Sequence, residues 1–125
     1  MGFLTIDKEF NVDADIPDLS GKVFVVTGGT SGLGKESILH LAKHKPENIF
    51  LTARSNKKAE GAVNEIKAVV PDANITVVEM DLGSLATIQK GAKEILGKTS
   101  RIDVLLASAG IMNVRTFKFL TLDFL

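Results

Sequence analysis

The stretch that decides the reading is Thr27-Gly28-Gly29-Thr30-Ser31-Gly32-Leu33-Gly34. Val23, Phe24, Val25 and Val26 precede it, a continuous apolar run of the kind a strand buried on both faces requires. A helical period follows it and places Leu33, Ile38, Leu41 and Ala42 on one side. Backbone N–H groups at a helix start lack partners, and the helix dipole favours negative charge there, so a glycine loop in this setting is built for an anion. Gly28 is expected to permit the tight turn, Gly32 to let a pyrophosphate approach the backbone, and Gly34 to let the helix pack on the strand. Two other readings compete. A glycine-rich turn can hold nothing. Gly29 to Lys35 also spells a phosphate-binding G-x-x-x-x-G-K, but the next position must carry a hydroxyl for Mg²⁺ and holds Glu36, whose carboxylate repels phosphate.

Outward from the loop, the alternation repeats. Ile49 to Thr52 is predicted as a second strand and Lys57 to Val70 as a helix, with Ala59, Ala62, Val63, Ile66 and Val70 near one face and Pro71 stopping it. Ile75 to Val78 is predicted as a third strand. Ser84 is placed to cap a third helix carrying Leu85, Ile88, Ala92, Ile95 and Leu96, which Gly97 is expected to end. Ile102 to Ala107 is predicted as a fourth strand. Strands and helices in this alternation predict an α/β fold with a parallel sheet joined by right-handed crossovers. Residues 1–20 have no period and read as an arm, residues 21–112 as the folded unit, and residues 113–125 as a divergent apolar tail with Phe117, Phe119, Leu120, Leu122, Phe124 and Leu125.

Composition narrows the function. The chain has 125 residues, 45% hydrophobic and 24% charged, enough for one small domain and ordinary for a globular one. Fifteen basic residues balance fifteen acidic ones, so no global field recruits nucleic acid or an anionic membrane. The absence of cysteine excludes disulfides, thiolate metal sites and thiol catalysis. Asp7, Lys8 and Glu9 interrupt any secretory core, no run is long enough to span a bilayer, and Ile6 breaks the myristoylation pattern that Met1-Gly2 begins. A cytoplasmic protein is expected.

Together these residues resemble the short-chain dehydrogenase/reductase family. Thr27 to Gly34 looks like its T-G-x-x-x-G-x-G cofactor fingerprint. Met80-Asp81-Leu82 stands where the family places an aspartate against adenine. Ala107-Ser108-Ala109-Gly110 stands where it has an Asn-Ala-Gly turn. Ala53-Arg54-Ser55 and Gly110-Ile111-Met112 look most like retinol-dehydrogenase-type and fungal reductase members. The resemblance covers roughly residues 20 to 112. It implies a three-layer Rossmann-type doubly wound parallel sheet, truncated after the fourth strand. It also implies a cofactor site formed by Gly28, Thr30, Ser31, Gly32, Leu33, Gly34, Arg54, Asp81, Leu82, Ser108, Ala109 and Gly110. Ser108 departs from the family's asparagine, keeping a hydroxyl and losing the amide.

The cofactor follows from the end of the second strand. An NAD site carries an acidic residue there for the ribose 2′-hydroxyl. Ala53 replaces it and Arg54 follows, and a guanidinium binds a 2′-phosphate that a carboxylate would repel. NADP(H) is therefore expected rather than NAD, with Ser31 as a second donor. The alternatives are Arg54 as a solvated residue at a helix start and Asp81 as a turn or capping residue.

The family reduces carbonyls or oxidises alcohols with a tyrosine proton donor, a lysine four residues on and a serine. These 125 residues contain no tyrosine, so no catalytic residue is expected among them. The chain reads as the cofactor half of an NADP-dependent oxidoreductase acting on a small apolar molecule, with substrate binding only if a C-terminal half exists. A short product that binds NADP or a partner without catalysis is the alternative, with association through the open strand edge. Glu36, His40 and His44 share a helix face at i, i+4 and i+8. No fourth ligand is indicated, so the stripe reads as solvated surface and no metal is expected. Lys43, Lys45, Lys57 and Lys58 likewise read as ordinary surface.

Overall fold

Seven elements alternate along the chain: β1 (Val23–Thr27), α1 (Gly32–Ala42), β2 (Asn48–Ala53), α2 (Asn56–Val69), β3 (Ile75–Glu79), α3 (Leu85–Lys98) and β4 (Val104–Ala107). The computed structural model describes residues 9–110; Ile111, Met112 and the apolar stretch 113–125 lie outside them. The strands form one sheet of order β3-β2-β1-β4, and every neighbouring pair is parallel.

Side chains along a strand alternate between faces, and both faces of this sheet are covered. Phe24, Val26, Ile49, Leu51 and Ala53 meet Ile38 and Ala42 of α1 and Ala59 and Ile66 of α2 on one face. Val23, Val25, Phe50 and Val78 meet Ile95 of α3 on the other. This is the expected three-layer, doubly wound Rossmann-type arrangement. The first two crossovers step outward from β1 to β2 to β3. Helix α3 then carries the chain back, on the opposite face, to the far side of β1. Winding reverses between β1 and β4, and in open α/β sheets it is at the carboxyl ends of the strands beside such a reversal that ligand crevices form.

Several local expectations need correction. Gly97 does not end α3, which runs to Lys98 with Thr99 as its C-cap. A glycine stops a helix by taking a left-handed conformation, and Gly97 is not among the positive-φ residues. Ser84 occupies the N-cap position of α3 without a side-chain capping bond. Strand β4 starts at Val104 rather than Ile102, where Asp103 joins the chain to Val23 through paired bonds: its N–H donates to the Val23 carbonyl (2.9 Å) and its Oδ2 accepts from the Val23 N–H (2.8 Å). Leu33 is not on the core face of α1 but 85% exposed. Leu85 and Leu96 are exposed as well, because α3 seats on the sheet through Gly91 and Ile95. A Cβ at Gly91 would lie 2.5 Å from the terminal methyl of Met80 and 3.3 and 3.4 Å from Val78 and Glu79, so α3 rests close on β3 there.

Residues 9–20 dock on the C-terminal end of α1. Leu19 is buried in the core, its N–H donates to the His44 carbonyl (2.9 Å), and Lys43 pairs with Asp13 (3.0 Å). Along one edge of the sheet, Val104 and Leu105 of β4 are open to solvent, and β4 is an edge strand among the described residues.

Candidate functional site

The crevice is shaped by glycines that bring three backbones together. Gly28 has a φ of +68°, and a Cβ there would lie 2.7 Å from both Cα and N of Ala109 and 2.9 Å from the Ser108 carbonyl carbon. The loop after β1 therefore touches the loop after β4. The Ala109 N–H, donating to the Thr27 hydroxyl (3.2 Å), fastens the contact. A Cβ at Gly34 would overlap the Gly28 carbonyl oxygen, so Gly34 does let α1 pack against the end of β1. Gly29 is needed for a different reason: a Cβ there would strike the side chains of Leu51 and Ile38 in the core. Gly32 differs again, with a φ of +58° and open space where a side chain would be.

The resulting cleft has a volume of about 710 Å³, within the usual range for a small-molecule site. Thr30, Ser31, Leu33 and Gly34 line it from the start of α1, Arg54 from the end of β2, Asp81 and Leu82 from the loop after β3, and Gly28, Ser108, Ala109 and Gly110 from the β1 and β4 loops. Every residue expected at the site thus meets in one place except Gly32, which sits beside the cleft without lining it. Thr52, Ala53, Met80 and Gly83 complete the wall; from the sequence Ala53 and Met80 stood out only as neighbours of Arg54 and Asp81, and Thr52 and Gly83 not as site residues. Their signal is positional, since they neighbour Arg54 and Asp81 at the carboxyl ends of β2 and β3.

Asp81 is exposed and held in a turn: its Oδ1 accepts from the Gly83 N–H (2.8 Å), and its carbonyl accepts from the Ser84 N–H (2.9 Å). It is a turn residue and a cleft residue at once. Thr87 of α3 reaches the same turn, its hydroxyl lying 3.0 Å from the Asp81 N–H nitrogen and 2.8 Å from the Asp81 carbonyl.

A smaller recess of about 390 Å³ opens off the cleft between the first turns of α1 and α2, lined by Thr30, Ser31, Ala53, Arg54, Ser55 and Lys58. Ser31 and Ser55 are the N-cap residues of these helices, yet neither hydroxyl caps its own helix, and neither first turn contains an acid. Among the described residues, Arg54 and Lys58 have no carboxylate partner. Two helix starts, two hydroxyls that do not cap them and two cations without a carboxylate partner among the described residues therefore converge on one recess. Lys58 is the residue that sequence reasoning set aside as surface. The signal was available: a lysine in the first turn of a helix opposes the dipole, which is unfavourable unless an anion sits nearby.

Lys35 goes elsewhere. Its ammonium pairs with Glu65 of α2, which holds its pKa above the ordinary lysine value, and it does not line the cleft. The G-x-x-x-x-G-K reading needs that lysine over the phosphates, so the geometry disfavours it. Of the histidine stripe, His40 lies 3.9 Å from Glu36, while the His44 ring is bonded to the Val12 carbonyl (3.0 Å). The three do not converge, and no metal-ligand cluster occurs among the described residues.

The family profile described as short chain dehydrogenase matches residues 22–123, most of the chain. The chain belongs to the short-chain dehydrogenase/reductase family. A short-chain dehydrogenase/reductase of Armillaria gallica is 40% identical over 98 residues, covering 78% of this chain and 31% of its own length. One from Phomopsis amygdali is 37% identical over 102 residues, covering 80% and 30%. The chain thus spans about a third of the length of these relatives. Among solved structures, a metagenomic short-chain oxidoreductase in complex with NADP superposes with a TM-score of 0.67 at 32% identity, covering 75% of this chain and 41% of that one. YwfH, described as an NADPH-dependent reductase involved in bacilysin biosynthesis, does so with a TM-score of 0.63 at 27% identity, covering 69% and 36%. Short-chain dehydrogenases are oxidoreductases that use NAD(P). No helix among the described residues is long and apolar enough to cross a membrane.

Proposed function

We propose that the cleft binds NADP(H), and that the chain is the cofactor-binding part of an oxidoreductase interconverting a carbonyl and an alcohol on a small apolar molecule. The observation that carries this is the recess in which Arg54, Lys58, Ser31 and Ser55 converge with no carboxylate among its lining residues. A 2′-phosphate brings close to two negative charges and several acceptor oxygens, which these donors match and which a plain 2′-hydroxyl would leave unused. The open space beside Gly32 suits the close passage of a pyrophosphate past the start of α1. Asp81, with Met80 and Leu82 beside it, offers an acceptor and apolar walls to the adenine. Ser108, Ala109 and Gly110 border the end of the cleft toward β4, where the nicotinamide half would lie. When bound, the cofactor supplies the hydride.

The proton donor is a separate matter. The family's tyrosine has no counterpart in residues 1–125, which contain none, and we infer that these residues bind the cofactor without turning it over. The test is a fluorescence titration of the 125-residue chain with NADPH and NADH, alongside an assay of carbonyl reduction. Saturable NADPH binding, at least about tenfold tighter than NADH and without turnover, is expected. Equal affinities would overturn the assignment of the recess, and absence of both would overturn the cofactor reading. Turnover would show that another residue serves as the acid.

A further inference from the structure

We propose that Thr87, on α3 and outside the cleft, is a positioning residue that sets the Asp81 carboxylate to read the amino group of adenine; this rests on the NADP(H) reading above. Asp81 is exposed, at the start of a loop, and the one hydrogen bond its carboxylate makes among the described residues is local, from the Gly83 N–H two residues on. Its backbone is nevertheless held on both sides. The Asp81 N–H donates to the Thr87 hydroxyl oxygen at 3.0 Å. The hydroxyl proton is within reach of the carbonyls of Asp81, at 2.8 Å, and Ser84, at 2.9 Å. One side chain six residues away therefore engages both main-chain polar groups of Asp81. Ser84, at the N-cap position of α3, adds its main-chain N–H to the Asp81 carbonyl (2.9 Å) but no side-chain capping bond, so among the described residues Thr87 supplies the side chain that fastens this backbone.

The consequence is a carboxylate with one oxygen committed and one available. Oδ1 accepts from the Gly83 N–H at 2.8 Å. Oδ2 has no protein partner among the described residues, and Asp81 lines the cleft. A carboxylate oxygen accepts from the exocyclic amine of adenine and is repelled by the carbonyl that hypoxanthine carries at that position. Base selectivity then depends on how well the turn is held, since a hydrogen bond discriminates only where its acceptor is fixed. Valine at position 87 preserves the shape of threonine and removes both bonds. Helix α3 should stay seated, because Gly91 and Ile95 hold it on the sheet.

The experiment compares the full chain with its T87V, T87A, T87S and D81A variants, each titrated with NADPH and with the reduced nicotinamide hypoxanthine dinucleotide phosphate. Wild type is expected to favour the adenine form by about tenfold, the worth of one fixed charge-assisted hydrogen bond. T87V and T87A should lower that preference to about twofold or less, by weakening the adenine form, and T87S should restore it. Adding T87V to D81A should change the preference no further. T87A and T87V are read in parallel, so misfolding of one leaves the other, and T87S must keep the wild-type ratio. An unchanged ratio in the folded hydroxyl-free variants, or an equal loss for both nucleotides, overturns the positioning role. Wild-type binding without base preference overturns it while leaving the NADP(H) reading intact. Binding of neither nucleotide by wild type removes both.

Discussion

Replacing Gly28 by alanine should disrupt the junction of the β1 and β4 loops, and the geometry sets the size of the effect. A left-handed conformation at a residue with a Cβ costs roughly 1–2 kcal/mol. The new Cβ would also lie 2.7 Å from Cα and N of Ala109 and 2.9 Å from the Ser108 carbonyl carbon. All three are backbone atoms that no rotamer change can move, so the strain falls toward the upper part of the roughly 1–3 kcal/mol typical of overpacking. The sum is about 3–5 kcal/mol, a large part of the roughly 5–15 kcal/mol that holds a domain together. Gly32→Ala supplies the control. It shares the left-handed backbone, with a φ of +58°, but faces open space. It should therefore show only the conformational share, about 1–2 kcal/mol, while weakening NADPH binding because the methyl occupies the path proposed for the pyrophosphate. Urea unfolding of both variants, with the slope checked for constancy, measures the difference directly. If the two substitutions destabilise equally, or if Gly28→Ala is nearly neutral, the close approach of the two loops is refuted.

Other perturbations test other parts of the structure. Asp103 has its pKa lowered first by its hydrogen bond with Arg101 and then by the Val23 N–H, so its contribution is present above its unfolded value near pH 4, about that of a free aspartate, and is lost as pH falls through the lower folded value. The stability gap between wild type and Asp103→Asn should therefore close on acidification below about pH 4; a gap independent of pH in urea melts would contradict the pairing. Lys58→Gln should weaken NADPH binding about fivefold and flatten its salt dependence while leaving NADH untouched, since the site is exposed and screened; equal effects on both would return Lys58 to ordinary surface. Phe50→Ala, at a fully buried centre of the sheet, should cost about 3–5 kcal/mol. Leu105→Ala, at 64% exposure, should change stability by no more than about 0.5 kcal/mol in the same assay.

Much of this was legible along the chain. The apolar runs at β1 and β2 and the periodic faces of α1 and α2 report burial through local chemistry, and the order of elements follows. The glycine loop and Arg54 were legible from the end of a buried strand and side-chain chemistry, and the remaining cleft residues through the resemblance of their turns to those of the family. Errors clustered where one element's seat depends on another's surface. Leu33 and Leu96 satisfy a helical period yet face out. Gly97 resembles a stop signal yet lies inside α3. Gly29 is hemmed in by side chains of Leu51 and Ile38, and Gly91 faces the end of the Met80 side chain, all outside their own turns. Lys58 reads as surface until α1 and α2 place their first turns side by side.

Sequence by itself determined the class of fold, the direction of the chain through it and the glycine loop with Arg54 beyond it, because each rests on propensity, periodicity or side-chain chemistry within a few residues, while Asp81 was marked by family resemblance. Only the tertiary structure decided that Gly28 must meet Ala109, that Lys58 and Ser55 join Arg54 and Ser31 in one recess, and that Thr87 holds the turn of Asp81. These are distances between residues whose spacing along the chain says nothing about their spacing in space. They are set where the sheet reverses its winding and brings the ends of separate strands to a common edge.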